Sequence, residues 1–401
     1  MSTSKLPLSG VRIADFTIHN AGPFGTHVLS QLGAEIIKFE SKARPDALRK
    51  PHAVYGRMGP ATFDQVTANK LSVRLNLKKI EAVDLAKRVV AISDIAAESF
   101  RAGVMKRLGL DFDTLCQVKP DLVMLSLSSC GQDGPDSHFA GYAPLFGAWG
   151  GLGALTGYPD GPPVEIRHVM DHASGYHGAL AVIAALLQRR RTGKPQFIDL
   201  AAREVSSAMI GDALVMGAMG LPVKRPGNGD IAMAPHGVYA TAQDDRWLTI
   251  AVRNDQEFLT LLNILEKQDF ATDSRFNTVI ARRQNSAELD GLMTQWLASC
   301  NAEETAEALQ VAGVCAHVSW STQDIANDPH LHSRKTLVNV DDTSNPDRLA
   351  VGSPAIFSKS AEVGVLRGAP DLGQDEDYVF GELLGLDRKQ RQDLEEREII
   401  F

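Results

Sequence analysis

Asp171 is the residue in this sequence whose setting most invites chemistry. It heads a stretch, HASGYHGALAVIAALLQ, that is mostly small and apolar and closes on Arg189-Arg190-Arg191 and the stop Thr192-Gly193. Read locally, it is a carboxylate in the first turn of a long helix, where negative charge suits the positive end of the helix dipole. Other constellations are weaker. The turn His19-Asn20-Ala21-Gly22-Pro23-Phe24-Gly25 should read GxGxxG if it cradled a nicotinamide cofactor's pyrophosphate, and the spacing fails. Glu40 stands where a ribose-binding acid would sit. A glutamate capping a strand is ordinary surface chemistry, however, and Pro23 removes an amide donor that a phosphate would use. No GxSxG elbow exists for a hydrolase serine, and Ser128-Ser129-Cys130-Gly131 lacks the leading glycine. His330 with His332, and His168 with His172, could each begin a metal site, but neither pair has a third ligand at workable spacing. No metal is therefore expected. Nor is a dyad of His172 with Asp171, because adjacent residues on a helix diverge by about 100°.

The chain as a whole narrows the partners. Its 401 residues, 44% hydrophobic and 22% charged, are ordinary globular composition and enough for two domains. A net charge of −8 argues against nucleic acid or an anionic membrane, while local basic clusters leave room for a phosphate-bearing small molecule. Cys116, Cys130, Cys300 and Cys315 lie far apart with no CxxC, and read as free thiols in a reducing compartment. The N-terminus, MSTSKLPLSGVRIADF, has no apolar signal core, and no run reaches membrane-spanning length. The expectation is a cytoplasmic protein.

Asp171 and its neighbours need a scaffold, and the patterning supplies one. Residues 11–16 read as a strand, 21–34 as a helix and 35–39 as a strand, a βαβ unit. The alternation continues with a strand at 72–75, a helix at 80–91, a strand at 94–97, a helix at 104–118 and a strand at 122–127. This predicts an α/β fold with an open, mostly parallel, Rossmann-like sheet. A Gly-rich apolar segment at 142–157 precedes the long helix, and residues 206–224 read as a connector helix. Residues 226–252 read as two strands around an Asp-rich turn, followed by helices to about 315. The division expected is a large domain over 1–204, a linker at 205–225 and a small α+β domain at 226–328. A second linker follows at 329–351, and a tail over 352–401 carries a final helix ending near Leu386.

Seven blocks carry a resemblance beyond these patterns. In order they are DFTIHNAGPFGTHVLSQLGAEIIKFE, ANKLSVRLNLK, DIAAESFRAGVMKRLGLDFDTL, LSSCGQDGPDSHFAGY, GNGDIAMAPHGVYAT, DPHLHSR and APDLGQ. With the segment around Asp171, they resemble the class III CoA-transferases, the formyl-CoA and carnitine CoA-transferase family, over nearly the whole chain. The resemblance implies that Asp171 is the nucleophile. It implies CoA contacts at Ile18, His19, Asn20, Ala21, Ser99, Phe100, Val104, Arg107 and Leu108. Arg107 would be a fixed cation for phosphate, the alternative being a solvated helix-face arginine. Tyr142 would orient the acyl group. Gly227 and Gly229 would form a lid or oxyanion loop, the alternative being a simple hairpin turn. The chain departs from the family at Ser99, usually asparagine, and at Asp375, commonly histidine. It resembles the family again in the tail, which would return to the large domain, and in an interlocked homodimer with shared active sites.

The reaction so implied moves CoA from an acyl-CoA, succinyl-CoA by family habit, to another carboxylic acid. It passes through anhydride and aspartyl-CoA thioester intermediates on Asp171. The CoA thioester is substrate, and no cofactor is bound permanently. Phe146 and Trp149 suggest an acid bulkier than formate or oxalate, unless they are core packing. One rival is an α-methylacyl-CoA racemase of the same fold. It needs acid–base groups on both faces of the α-carbon, and such relatives present His-Asp where this chain has Tyr142-Ala143. Another is one subunit of a hetero-oligomeric transferase.

Overall fold

The computed structural model describes residues 5–51, 58–166, 168–340 and 348–401. The chain forms two units, one of residues 1–153, 165–221 and 329–401, the other of residues 154–164 and 222–328. Part of the expected second linker, 341–347, lies outside the described residues.

The first unit is built on six parallel strands: β1 (Arg12–Phe16), β2 (Glu35–Glu40), β3 (Lys70–Arg74), β4 (Ile95–Glu98), β5 (Val123–Ser128) and β6 (Gln196–Ala201). Their order is β3-β2-β1-β4-β5-β6. The winding reverses between β1 and β4, so the carboxyl ends of these two strands open the crevice where α/β sheets take their ligands. Side chains alternate between faces along each strand. Ile13, Ile36, Ile95, Val123 and Leu125 pack with Leu29, Ala179, Val182 and Ala185 on one face. Ala14, Phe16, Ile37, Phe39 and Met124 pack with Val83, Leu85, Val89, Val379, Phe380 and Ile400 on the other. Burial on both sides is why these strands read as nearly continuous apolar runs.

The Val169–Thr192 helix is long and poor in large side chains because it must lie close to the Ala21–Gln31 helix. A Cβ added at Gly175 would fall 2.9 Å from both the Ala21 carbonyl oxygen and the Gly25 nitrogen, so only glycine allows this approach. The helix ends where Gly193 turns left-handed (φ 68°). Arg189 in its last turn pairs with Asp94 at 2.8 Å.

Several details differ from the sequence reading. The helix expected over 104–118 is two short ones, Val104–Leu108 and Phe112–Cys116, because Gly109 takes φ 68° and Asp111 caps the second. The connector expected at 206–224 is likewise two helices, Ala202–Ala208 and Gly211–Ala218. Strand β6 was not foreseen. The tail carries a π-helical turn at Asp377–Leu383 and an unforeseen helix at Arg388–Glu396, opened by an Asp387–Gln390 capping box.

The second unit has the two expected strands, β7 (His236–Ala240) and β8 (Trp247–Ala251), and a third, β9 (Cys315–Val318), all antiparallel. Leu248 and Ile250 on the inner face pack on Phe258, Leu261, Leu289 and Met293. A small hairpin, β10 (Leu337–Asn339) with β11 (Leu349–Val351), belongs to the first unit.

Candidate active site

The site begins with charges buried under the end of β1. Lys38 and Asp46 form an ion pair at 3.2 Å with side chains 0% and 1% exposed. Lys38 also donates to the Thr17 carbonyl at 2.8 Å, and Asp46 accepts the His19 amide at 3.2 Å. Burial disfavours the Lys38 ammonium, but the Asp46, Asp15 and Glu40 carboxylates outweigh it and hold its pKa above the usual lysine value. Asp15 accepts the Thr17 amide (2.9 Å) and Lys70 (3.1 Å). Its burial is likewise outweighed, by Lys70 and Lys38, and it stays below the ordinary carboxylate range. The turn after β1 is thereby held in one shape, with His19 at φ 64°. Such a conformation is uncommon for a non-glycine residue, and the bonds on either side hold it here.

The next residue reaches the candidate nucleophile. The Asn20 side-chain amide donates to Asp171 Oδ2 at 3.1 Å. Asn20 is 8% exposed and Asp171 is half-buried. Among the described residues Asp171 Oδ1 accepts no hydrogen bond, which leaves it open to a reactant. Burial raises the Asp171 pKa above the ordinary carboxylate value; the Asn20 bond and the nearby His172, His168 and His19 imidazoles oppose this without cancelling it. His172 does turn aside, as expected. Its Nδ1 meets the His168 carbonyl at 2.7 Å and its ring packs edge-on to Phe24 at 4.2 Å. Tyr142, 66% exposed, places its ring 5.9 Å from that of His19.

The turn after β4 faces this cluster across the crevice. The Ser99 hydroxyl accepts the Ile18 amide at 2.9 Å and donates to the Ile18 carbonyl at 3.1 Å. Glu98 accepts the Phe100 amide at 2.7 Å and a bond from Ser126. Gln132 donates to the Ser126 hydroxyl at 2.7 Å and accepts the Gly103 amide at 3.3 Å, tying this turn to the glycine-rich segment after β5. Burial lifts the Glu98 carboxyl to about 7. Val104 and Leu108 are half-buried, and Arg107 is exposed. Among the described residues the Arg107 guanidinium has no ion-pair partner.

The fold therefore brings together Ile18, His19, Asn20, Ala21, Tyr142, Asp171 and Ser99; Phe100, Val104, Arg107 and Leu108 follow Ser99 along the chain, and Phe100 and Leu108 pack against the sheet's core. Gly227 and Gly229 belong to the second unit. The Gly227 amide donates to the Gly157 carbonyl at 3.0 Å, on a distant segment of the same unit, and the Gly229 amide donates to the Pro226 carbonyl at 3.1 Å within a local turn. Phe146 is core: it is 6% exposed and packs with Ala143, Met170, Ala202 and Val205, so it does not enlarge a pocket. The sequence reading missed Lys38, Asp46, Glu98 and Gln132. A signal existed for one of them, a lysine set inside the apolar run Ile36-Ile37-Lys38-Phe39. No three His, Cys, Asp or Glu among the described residues are grouped to hold a metal. No described helix is long and apolar enough to cross a membrane.

Comparison with known proteins identifies the family and the fold. Residues 8–376 match CoA-transferase family III. The β subunit of succinyl-CoA–L-malate CoA-transferase from Chloroflexus aurantiacus is 31% identical over 100% of this chain and 99% of its own length. The succinate–glutarate CoA-transferase of Agrobacterium fabrum is 30% identical over 97% of this chain and 98% of its own. A CaiB/BaiF family protein from Brucella suis has a crystal structure that superposes with a TM-score of 0.85 at 28% identity, covering 95% of this chain and 100% of that one. This chain belongs to CoA-transferase family III and is a class III CoA-transferase.

Proposed function

We propose that this transferase moves CoA from succinyl-CoA to a second carboxylic acid through covalent intermediates on Asp171. The observation that carries the proposal is a carboxylate with one oxygen held by Asn20, the other open, and a pKa raised by burial. The Asp171 oxygen attacks the thioester carbonyl carbon; the C–S bond breaks, giving a mixed anhydride and CoA thiolate. The thiolate attacks the aspartyl carbonyl and displaces the donor's carboxylate, leaving an aspartyl-CoA thioester. The acceptor carboxylate then attacks that thioester and again releases the thiolate. Thiolate attack on the acceptor's carbonyl of the new anhydride forms the product and frees Asp171. Every intermediate remains activated, so the free energy of the thioester is conserved through the exchange.

CoA would lie along Ile18–Ala21, Phe100, Val104 and Leu108, with its phosphates at Arg107, and Ser99 at the junction of the two turns. Arg107's exposure and lack of an ion-pair partner among the described residues support that role. Tyr142, beside His19, would orient the acyl group. Gly227 and Gly229 remain the proposed lid. Succinyl-CoA as donor is supported by the name of the Chloroflexus relative, which pairs it with L-malate; the Agrobacterium relative is named for succinate and glutarate, so a dicarboxylic acceptor is the first class to assay. Exposed Leu180, Leu187, Leu214, Val215, Met216 and Met219 support a dimer. The naming of one relative as a β subunit keeps a heteromer as the second reading. Asp171→Ala tests the core of the proposal. It should abolish transfer from succinyl-CoA while CoA affinity stays within about twofold; persistent transfer would mean that another group is the nucleophile.

A further inference from the structure

We infer that Ser99 is a positioning residue for the nucleophile: its hydroxyl fixes the turn after β1 so that Asn20 meets Asp171. The inference rests on the proposed role of Asp171 and adds to it a residue whose hydroxyl bonds go to Ile18 rather than to Asp171 or Asn20.

A serine hydroxyl has one proton and can accept through its lone pairs. At Ser99 the proton goes to the Ile18 carbonyl at 3.1 Å, and a lone pair takes the Ile18 amide at 2.9 Å. One hydroxyl thus secures both polar backbone atoms of Ile18. On either side, Thr17 is held by Lys38 (2.8 Å) and Asp15 (2.9 Å), and His19 by Asp46 (3.2 Å). Three consecutive residues are fixed by side chains from elsewhere in the fold, and the fourth is Asn20. Packing closes the arrangement. A Cβ on Gly22 would fall 2.9 Å from Ser99 Cβ and 2.7 Å from Thr17 Cβ, so serine, turn and helix start are in direct contact. His19 holds φ 64° within this clamp, a backbone region uncommon for residues that carry a Cβ. Freed at Ile18, the turn relaxes, and the amide that reaches Asp171 loses its fixed origin.

This role differs from that of a CoA ligand, for which the Ser99 proton is already committed. The two predict opposite kinetics for Ser99→Ala. A positioning residue should lower kcat at saturating succinyl-CoA and acceptor by about tenfold, with the CoA dissociation constant within about twofold of the parent. The acid limb of kcat should also move to higher pH, because the Asn20 bond that opposes the rise in the Asp171 pKa is weakened. His19 from the turn, and His168 and His172 from the helix of Asp171, also face the carboxylate. They are present in both proteins, so the difference between profiles reports the Asn20 bond. Finally, Ser99→Ala should add little in an Asn20→Ala background, since one acts through the other. A CoA dissociation constant raised tenfold with kcat unchanged, or fully additive losses in the double variant, would overturn the inference. Asp171→Ala assayed alongside separates the two levels. Activity surviving there removes the nucleophile and this inference together; an inactive Asp171→Ala with an unaffected Ser99→Ala removes only the role of Ser99.

Discussion

A nucleophilic carboxylate must be ionised to attack, yet a half-buried one is pushed toward its neutral form. At Asp171 burial outweighs one amide and three imidazoles, and the pKa rises. Transfer should accordingly fall as pH drops through a value above the free-aspartate range of about 3.9. Arg107 belongs to the same scale. It is exposed, and its expected partner is a phosphate of CoA; Arg107→Ala should weaken CoA-ester binding by about tenfold and leave turnover at saturation unchanged. Calorimetric titration with CoA decides this, and an unaltered dissociation constant would return Arg107 to a solvated surface role. The sequence motifs pointed to Asp171, Asn20 and Arg107 because each sits in a recognisable block. They could not reveal Ser99 bonded to Ile18, or Asp46 bonded to His19. Those contacts join residues far apart in sequence, and only strand order brings them into reach.

At the scale of elements, regular alternation of strand and helix was readable from 11 to 127, and the doubly wound sheet follows it. What escaped were elements without a clear period. β6 is only half-buried along most of its length and follows a basic cluster directly; β9 has a mere four residues. The helix expected at 104–118 broke at Gly109, where a left-handed residue costs glycine little. The strand ends also carry a testable charge. Glu98 at the end of β4 faces Ser126 and Asp199 across β5 and β6, and burial lifts its carboxyl to about 7. A raised folded-state pKa in an acid means a contribution to stability that is complete below the unfolded value and is lost as pH rises through about 7. Glu98→Gln should therefore flatten the fall in melting temperature between about pH 5 and pH 8. A slope equal to the parent's would show that Glu98 does not carry the proton.

For the whole molecule, the proposed dimer rests on apolar surface that a lone chain leaves in water. Leu180 on the Val169–Thr192 helix is 66% exposed and Met219 beyond the Gly211–Ala218 helix 69%. If two chains interlock, as the family resemblance implies, they cannot separate without local unfolding. Sedimentation at nanomolar concentration should then show dimer alone. A folded, active monomer in reversible equilibrium would exclude interlocking. The sequence suggested this assembly only through resemblance; a solitary apolar helix says that something covers it and not what.

The most direct test of the account is chemical capture at Asp171. The enzyme is incubated with succinyl-CoA, quenched with hydroxylamine, digested and mapped by mass spectrometry. An aspartyl thioester or anhydride would be converted to a hydroxamate on the peptide containing Asp171, dependent on succinyl-CoA and absent from Asp171→Ala. Active enzyme that yields no such adduct, or yields it on a different residue, would contradict the account.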